Sequence, residues 1–184
     1  ELPRVIQRLA VISSRTAAGY EDFLHTIENN PFHYSFTIDG FFTTVQGENN
    51  VTELAAAVEE VISAAARTGL DYDTVVIIRG GGAGTDLLIF DQFEIAAAVA
   101  ACPFPVLTGI GHQKNETITD LMSHTSLKTP TRVAEFILQH NRSFELEVLQ
   151  IQQSVIIYSQ QMLAVSRQEL MQLKSSLIQQ SQAL

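Results

Sequence analysis

Short apolar runs alternate with helical patterns along the first 138 residues of the chain. The apolar runs are rich in branched side chains and end abruptly in polar residues or glycine, as strands of a buried parallel sheet do. This alternation predicts an α/β fold with a mostly parallel sheet and helices on both faces. The predicted strands cover residues 9–13, 34–42, 74–79 and 105–109, and the predicted helices cover residues 17–29, 51–68 and 91–101.

The pattern changes near residue 139, which divides the chain into an α/β domain (1–138) and a helical arm (139–184). The arm contains no Gly or Pro, and eleven of its 46 residues are Gln. Thr129-Pro130 is a typical helix start, so one long helix is predicted from that point onward. We favour a long C-terminal coiled-coil arm, truncated at residue 184; a single helix folded onto the core is the alternative.

The arm carries apolar side chains in alternating steps of four and three, the spacing of a coiled-coil seam. Such a seam predicts that the arm serves assembly and not chemistry. The seam comprises Phe144, Val148, Ile151, Val155, Tyr158, Met162 and Val165, and continues after a shift of phase with Leu163, Leu170, Leu173 and Leu177.

Charge is distributed unevenly within a formal net charge of −9. Residues 1–138 hold 8 basic against 17 acidic side chains, whereas residues 139–184 hold 3 of each. The chain as a whole therefore lacks the basic footprint of a nucleic-acid binder, and any phosphate site must be local or must depend on another segment or partner. Cys102 is the only cysteine, which excludes a disulfide framework. No apolar run is long enough to span a bilayer, so we predict a cytoplasmic protein with no membrane partner.

The first chemical signal is the run Arg79-Gly80-Gly81-Gly82, which follows the third predicted strand. It matches neither the dinucleotide-binding fingerprint nor a P-loop. Consecutive glycines allow backbone N–H groups to surround an oxyanion, and a guanidinium pairs well with phosphate oxygens. We therefore favour a phosphate-binding loop over the alternative of a tight turn between strand and helix.

A second signal is His112, which follows two glycines after the fourth predicted strand. An imidazole exchanges protons near neutral pH and suits general acid or base chemistry. Asp22, Asp86 and Asp120 also fall just beyond predicted strands, although carboxylates in a first helical turn commonly stabilise the helix dipole instead. Because parallel strands end at one edge of a sheet, these side chains are predicted to converge with Arg79.

Taken together, these residues resemble the large subunit of exodeoxyribonuclease VII. The resemblance covers residues 5–138, and the arm agrees with the long coiled-coil helices that follow the family's nuclease domain. The matching motifs are Val11-Ile-Ser-Ser-x-Thr16 with Asp22, Val45-Gln-Gly47, Arg79-Gly-Gly-Gly82 with Asp86-Leu87, Gly109-x-Gly-His112, Thr117-x-x-Asp120 and Thr129-Pro-Thr131.

The resemblance implies an enzyme that hydrolyses phosphodiester bonds of single-stranded DNA, from either end, to short oligonucleotides. Catalytic roles fall on Asp22, Arg79 and His112, with His112 as general base or general acid and Asp22 orienting it or a water. A further family acid falls on Asn115, whose amide cannot accept a proton. Either the acid only orients and Asn115 suffices, or Asp120 or Glu116 substitutes, or activity is impaired. Substrate contacts are predicted at Thr16, Gly80, Gly81, Gly82, Asp86 and Asp120.

The resemblance also implies cofactors and partners. The family does not strictly require a divalent metal, so no cofactor is predicted as required, no metal ligand is assigned, and Mg²⁺ stays open. The expected partners are single-stranded DNA, several small subunits along the arm, and a second copy of the chain through the arm. The family's OB-fold, which grips single-stranded DNA, has no counterpart in this sequence, and this would account for the missing basic surface.

Two other functions stay open. The first is a Rossmann-like module that binds a nucleotide or phosphate without hydrolysis, for which Asn115 is the best support. The second is an assembly element in which residues 139–184 are the working part.

Overall fold

A computed structural model describes residues 1–43, 50–79, 84–111 and 116–182. Several predictions fall outside these ranges, namely those for Val45-Gln-Gly47, Gly80, Gly81, Gly82, His112 and Asn115. By contacts the chain divides into two compact units, Glu1–Arg142 and Ser143–Leu184.

A parallel sheet forms the centre of the first unit. Among the described residues, its strands are β1 (Arg8–Ser13), β2 (Thr37–Phe42), β3 (Thr74–Ile78), β4 (Val106–Gly109) and β5 (Thr125–Ser126). Their order across the sheet is β2-β1-β3-β4-β5, and every neighbouring pair is parallel. The predicted fold class is thus confirmed, and parallel pairing places the carboxyl ends of all these strands at one edge.

Helices follow the strands in chain order. The α-helices described are α1 (Ala18–Glu28), α2 (Asn50–Thr68), α3 (Phe93–Ala101), α4 (Ile118–Met122) and α5 (Pro130–Gln182), and a 3-10 helix covers Gly84–Asp91. Gly69, at φ +66°, ends α2 in the left-handed conformation that favours glycine, as the sequence predicts.

Two cores lie on opposite faces of the sheet because strand side chains alternate between the faces. On one face, Ala10, Ile12, Val75 and Ile77 pack against apolar residues of α2 and α3. On the other face, Leu9, Val11, Val76 and Ile78 pack against α1 and the first turns of α5. All five residues of β3 are buried, as the unbroken apolar run predicts for a central parallel strand.

Strand β2 begins three residues later than the apolar pattern suggests. The reason is Asn30, which is 6% exposed and satisfies the backbone before the strand. Its side-chain oxygen accepts from the amides of Phe32 and Tyr34, and its amide group donates to the carbonyls of Ile27 and Tyr34. The backbone of Tyr34 is therefore engaged in a turn and cannot join the ladder.

Helix α5 begins at Pro130, as Thr129-Pro130 predicts. The Thr129 hydroxyl accepts from the amide of Arg132 at 3.2 Å, which satisfies one free donor of the first turn. Farther along, Asn141 ties the helix to the start of the chain, since its side chain accepts from the amide of Ile6 and donates to its carbonyl, each at 2.8 Å. The α/β unit therefore includes the first turns of α5 and ends at Arg142.

The second unit is the continuation of the same helix. Phe144, at the start of the seam, is half-buried, and the seam side chains that follow it are exposed, from 46% at Val148 to 73% at Met162. On an ordinary surface helix the apolar stripe faces the core of the protein, whereas the apolar stripe of this arm is exposed.

Candidate active site

The edge formed by the carboxyl ends of β1, β3 and β4 joins two of the predicted site segments. Arg79 follows β3 directly, and its amide donates to the carbonyl of Gly109 at the end of β4, at 3.4 Å. Arg79 is 9% exposed, so it is enclosed by protein at the rim of the sheet. A guanidinium presents planar donors that suit phosphate oxygens, and its hydrogen bonds are strong in a low-dielectric setting.

The segment that leads to His112 is held under the first turn of α5. A Cβ on Gly109 would lie 2.7 Å from Cγ2 of Val133, too close for any larger residue without a shift. Gly111 has φ +82°, and a Cβ there would lie 3.2 Å from the carbonyl of Lys128. These two glycines let the chain leave β4 along a path that no other residue type would follow without strain.

Both carboxylate oxygens of Asp120 accept hydrogen bonds from other residues of the chain. Thr117 and Asp120 form a capping box at the start of α4, with the Thr117 hydroxyl 2.9 Å and its amide 3.0 Å from Oδ2 of Asp120. The other oxygen, Oδ1, accepts from the hydroxyl of Thr108 in β4 at 2.6 Å. Asp120 therefore fixes α4 to β4 close to the glycines, which is a positioning role; its predicted contact with substrate stays a prediction. A threonine three residues before an acid is the sequence signal of such a box.

Asp22 and Thr16 lie on the β1 side of the edge. Asp22 is exposed on α1, and its carbonyl accepts from the Thr26 hydroxyl within that helix. Side chains of a helix tilt toward its N-terminus, which for α1 is the end nearest the carboxyl edge of the sheet. Thr16 is exposed in the turn between β1 and α1. Their approach to Arg79 stays a prediction.

Asp86 belongs to the 3-10 helix Gly84–Asp91, which the sequence pattern does not predict. This helix is tied to α4, since Asp91 accepts from the amide of Ile118 at 3.0 Å and the carbonyl of Phe90 accepts from the Thr119 hydroxyl at 2.6 Å. In sequence, the glycine run is therefore followed by a segment that is anchored at its far end. The substrate contact predicted for Asp86 stays a prediction.

A cavity of about 880 Å³ lies beside the ends of β1 and β2. Thr16 and the carboxylates of Glu53 and Glu60 line it, together with Arg15 and Phe42. Neither Arg15 nor Phe42 is among the site residues predicted from the sequence. An exposed aromatic residue in the last position of a strand would be the available signal, but edge strands also end this way for packing reasons.

The described residues contain no group of three or more His, Cys, Asp and Glu side chains placed to hold a metal ion. None of their helices is both long enough and apolar enough to cross a membrane.

Comparisons with known proteins identify the family. A family model described as exonuclease VII, large subunit, matches residues 1–184. A relative from Lactobacillus helveticus named exodeoxyribonuclease 7 large subunit is 32% identical over 178 residues, which are 97% of this chain and 38% of that protein. Relatives of the same name from Nostoc sp. and Thermotoga maritima are 36% and 32% identical over 74% of this chain, covering 32% and 33% of their own lengths.

The chain spans about a third of the length of the curated relatives it matches. The family match covers the arm as well as the α/β unit, and it confirms the resemblance found in the sequence motifs. This chain belongs to the family of exonuclease VII large subunits.

Proposed function

We propose that the chain is the nuclease domain, with the start of the helical arm, of an exonuclease VII large subunit in the cytoplasm. It hydrolyses phosphodiester bonds of single-stranded DNA to oligonucleotides in DNA breakdown and repair. The observation that carries this proposal is the bond between the Arg79 amide and the Gly109 carbonyl, together with the family match over the whole chain. This bond links the strand end that bears the guanidinium to the strand that leads to the imidazole.

In the proposed reaction, His112 takes the proton of the attacking water or gives one to the leaving oxygen. The guanidinium of Arg79 and the amides of Gly80, Gly81 and Gly82 stabilise the charge that grows on the phosphoryl oxygens, where preorganised donors are most effective. Asp22 orients His112 or the water. Asn115 occupies the position of a family acid and, as an amide, can orient a partner but not accept its proton.

The contacts that fix residues 109–111 support the role proposed for His112. Thr108 and Asp120 hold β4 to α4, and Gly109 packs against Val133, so the path toward His112 is set by packing on two sides. A catalytic group must be held within a fraction of an ångström of its productive position, and contacts that fix the preceding segment favour such precision. Asp120 thus acts on catalysis through position.

No cofactor is required in this proposal, and Mg²⁺ could assist by neutralising phosphate charge. The proposed partners are single-stranded DNA, small subunits seated along the arm, and a second copy of the chain through the arm. Support for the protein partners comes from the exposed seam, which includes Ile151 at 64% and Val155 at 58%. A coiled-coil seam of this kind is buried only by another helix.

The test uses the full-length large subunit coexpressed with its small subunit. Replacing His112 by Ala should lower the rate of single-stranded DNA hydrolysis by about 10²- to 10⁴-fold, the usual contribution of a general acid or base. His124→Ala is the matched control, because His124 is exposed and its Nδ1 contacts only the neighbouring Thr125 hydroxyl among the hydrogen bonds described for it. Its rate should stay within about twofold of the wild type, and each protein is assayed with and without chelator.

Two results would count against the proposal, and a third would refine it. Undiminished cleavage by His112→Ala would remove the imidazole from the mechanism. Tight binding of mononucleotides with no cleavage by the wild-type assembly would favour the non-hydrolytic binding module. A large gain in rate from Asn115→Asp would show that the amide limits the reaction.

A further inference from the structure

An exposed aromatic stack beside the proposed active site is unused by the chemistry above. Phe42, the last residue of β2, is 38% exposed. The guanidinium carbon of Arg15 lies 4.7 Å from the centre of its ring, and the ring of Tyr20 meets it edge-on with centroids 5.2 Å apart. The guanidinium of Arg15 and the rings of Phe42 and Tyr20 therefore form one assembly, which we call the Arg15–Phe42 stack.

The backbone beneath this stack is shaped for the ring of Phe42. A Cβ on Gly40 would lie 2.6 Å from Cζ and 2.8 Å from Cε2 of Phe42, and 3.3 Å from the hydroxyl oxygen of Tyr20. Residues 40 and 42 project from the same face of the strand. The absence of a side chain at Gly40 therefore lets the ring lie against the strand, where it is supported from below and still reaches solvent.

The remaining groups of the cavity select the kind of ligand. Glu53 and Glu60 line the same cavity, and Arg15 is the one basic residue among its described lining residues, so the cavity offers little attraction to a phosphate. Oε1 of Glu60 is paired with Arg67 at 2.6 Å, and Oε2 of Glu53 accepts from the Thr43 hydroxyl at 3.4 Å. Because a carboxylate accepts several hydrogen bonds, both side chains can also accept from the amino and ring N–H groups of a nucleobase, and the hydroxyl of Thr16 can donate or accept. A flat π-system with polar edges fits both the stack and its rim, since bases stack on aromatic rings and on guanidinium planes.

We propose that the Arg15–Phe42 stack binds one nucleobase of the single-stranded DNA while a nearby phosphate lies at Arg79. This inference rests on the proposed nuclease function. Because β2 and β3 both border β1, their ends are separated by two strand spacings, or about 10 Å, a distance that a short stretch of single-stranded DNA bridges. The stack anchors the strand beside the cut without selecting a sequence, because every base has a π-face.

A kinetic experiment measures the contribution of the base. Oligonucleotides with one abasic residue, moved step by step along the strand, are degraded by the full-length large subunit with its small subunits. One register relative to the cut should show KM raised roughly five- to a hundredfold, the range for the loss of one stacked base. Phe42→Ala should raise KM for intact DNA by a similar factor and abolish the penalty at that register, with kcat within about twofold.

Matched variants separate stacking from folding. Phe42→Tyr should behave like the wild type, because it keeps the ring. Gly40→Ala should behave like Phe42→Ala, because its Cβ displaces the ring without removing it. Phe93→Ala is the control: Phe93 is 79% exposed and is not among the residues that line the cavity. An unchanged KM and an unchanged abasic penalty in Phe42→Ala would overturn the inference while leaving the nuclease proposal intact.

A second measurement is independent of cleavage. Single-stranded oligonucleotides carrying 5-iododeoxyuridine are irradiated in complex with the same assembly, and the crosslinked peptides are identified by mass spectrometry. A crosslink in the peptide that contains Phe42, lost in Phe42→Ala, is expected even if the assembly cuts no DNA. Its absence, with crosslinks elsewhere, would sink the inference whether or not the nuclease proposal holds.

Discussion

The two units of this chain use apolar side chains in opposite ways. In the α/β unit, the central strand β3 is buried throughout and both faces of the sheet are covered by helices of the same chain. In the arm, the apolar side chains repeat just as regularly, yet Met162 and Leu163 are exposed by more than 70%. Regular apolar spacing therefore predicts that a surface will be covered, but it does not indicate which chain covers it.

The two units also differ in their use of glycine. In the α/β unit, Gly109 and Gly111 lie where the chain approaches α5 closely or turns with positive φ, whereas residues 139–184 contain none. A continuous helix has no need of positive φ, and each glycine in its interior would destabilise it. Catalytic candidates accordingly lie in the first unit, where strands end in glycine, and assembly is expected of the second.

The largest effect on the free energy of unfolding is expected from truncating a buried leucine, and an exposed leucine of the arm provides the matched comparison. Leu107→Ala, in β4, removes a fully buried side chain and should lower the free energy of unfolding by about 2–5 kcal/mol. Leu163→Ala, in the arm, should change it by less than about 0.5 kcal/mol but weaken the association of small subunits. Chemical denaturation and sedimentation velocity measure the two quantities. Equal destabilisation by both variants would break the contrast between the units.

The next effect tests the close approach at Gly109. Gly109→Ala should lower the free energy of unfolding by about 1–3 kcal/mol, because the new Cβ meets the Val133 side chain. Combining it with Val133→Ala should recover about 1 kcal/mol relative to the sum of the single changes. Gly69→Ala is the control: its Cβ has nothing within 4 Å, so its cost comes from the left-handed backbone and should not couple to Val133. Additivity at Gly109 would rule out the packing explanation.

The smallest effect concerns alkaline pH. Burial raises the pKa of Tyr72 above its ordinary value near 10, and its hydrogen bond to Asp39 raises it further. The folded state therefore holds the phenol proton more tightly, so this stabilisation is complete below pH 10 and is lost as pH rises through the folded pKa. Tyr72→Phe should cost about 1 kcal/mol at neutral pH and flatten the decline of stability above pH 10.

Tyr158 supplies the control for this pH measurement, since it is 67% exposed on the arm. Tyr158→Phe should leave both the stability at neutral pH and its alkaline decline unchanged. Thermal melts between pH 8 and pH 11 would measure the two variants side by side. If the stability of Tyr72→Phe declines above pH 10 as steeply as that of the wild type, the decline is caused by another group.

Local signals determined much of the fold. Apolar runs placed the first four strands, the Thr129-Pro130 pair gave the start of α5 at Pro130, and Gly69 marked the end of α2. Periodicity and capping act within a few residues, so they can be found without knowing what packs on what. Helix α4 and strand β5 were not found, because elements of five and two residues are too short to show a period.

The sequence alone determined the alternation of strands and helices, the family, and which segments end in chemically useful residues. Three contacts depend instead on how the elements pack: Arg79 bonds to Gly109, Asp120 accepts from Thr108, and Arg15 lies over Phe42. Each of these contacts joins residues from different elements, and their geometry depends on the order and register of strands. Local patterns carry no record of that order, because a parallel sheet fixes its neighbours through packing across the whole chain.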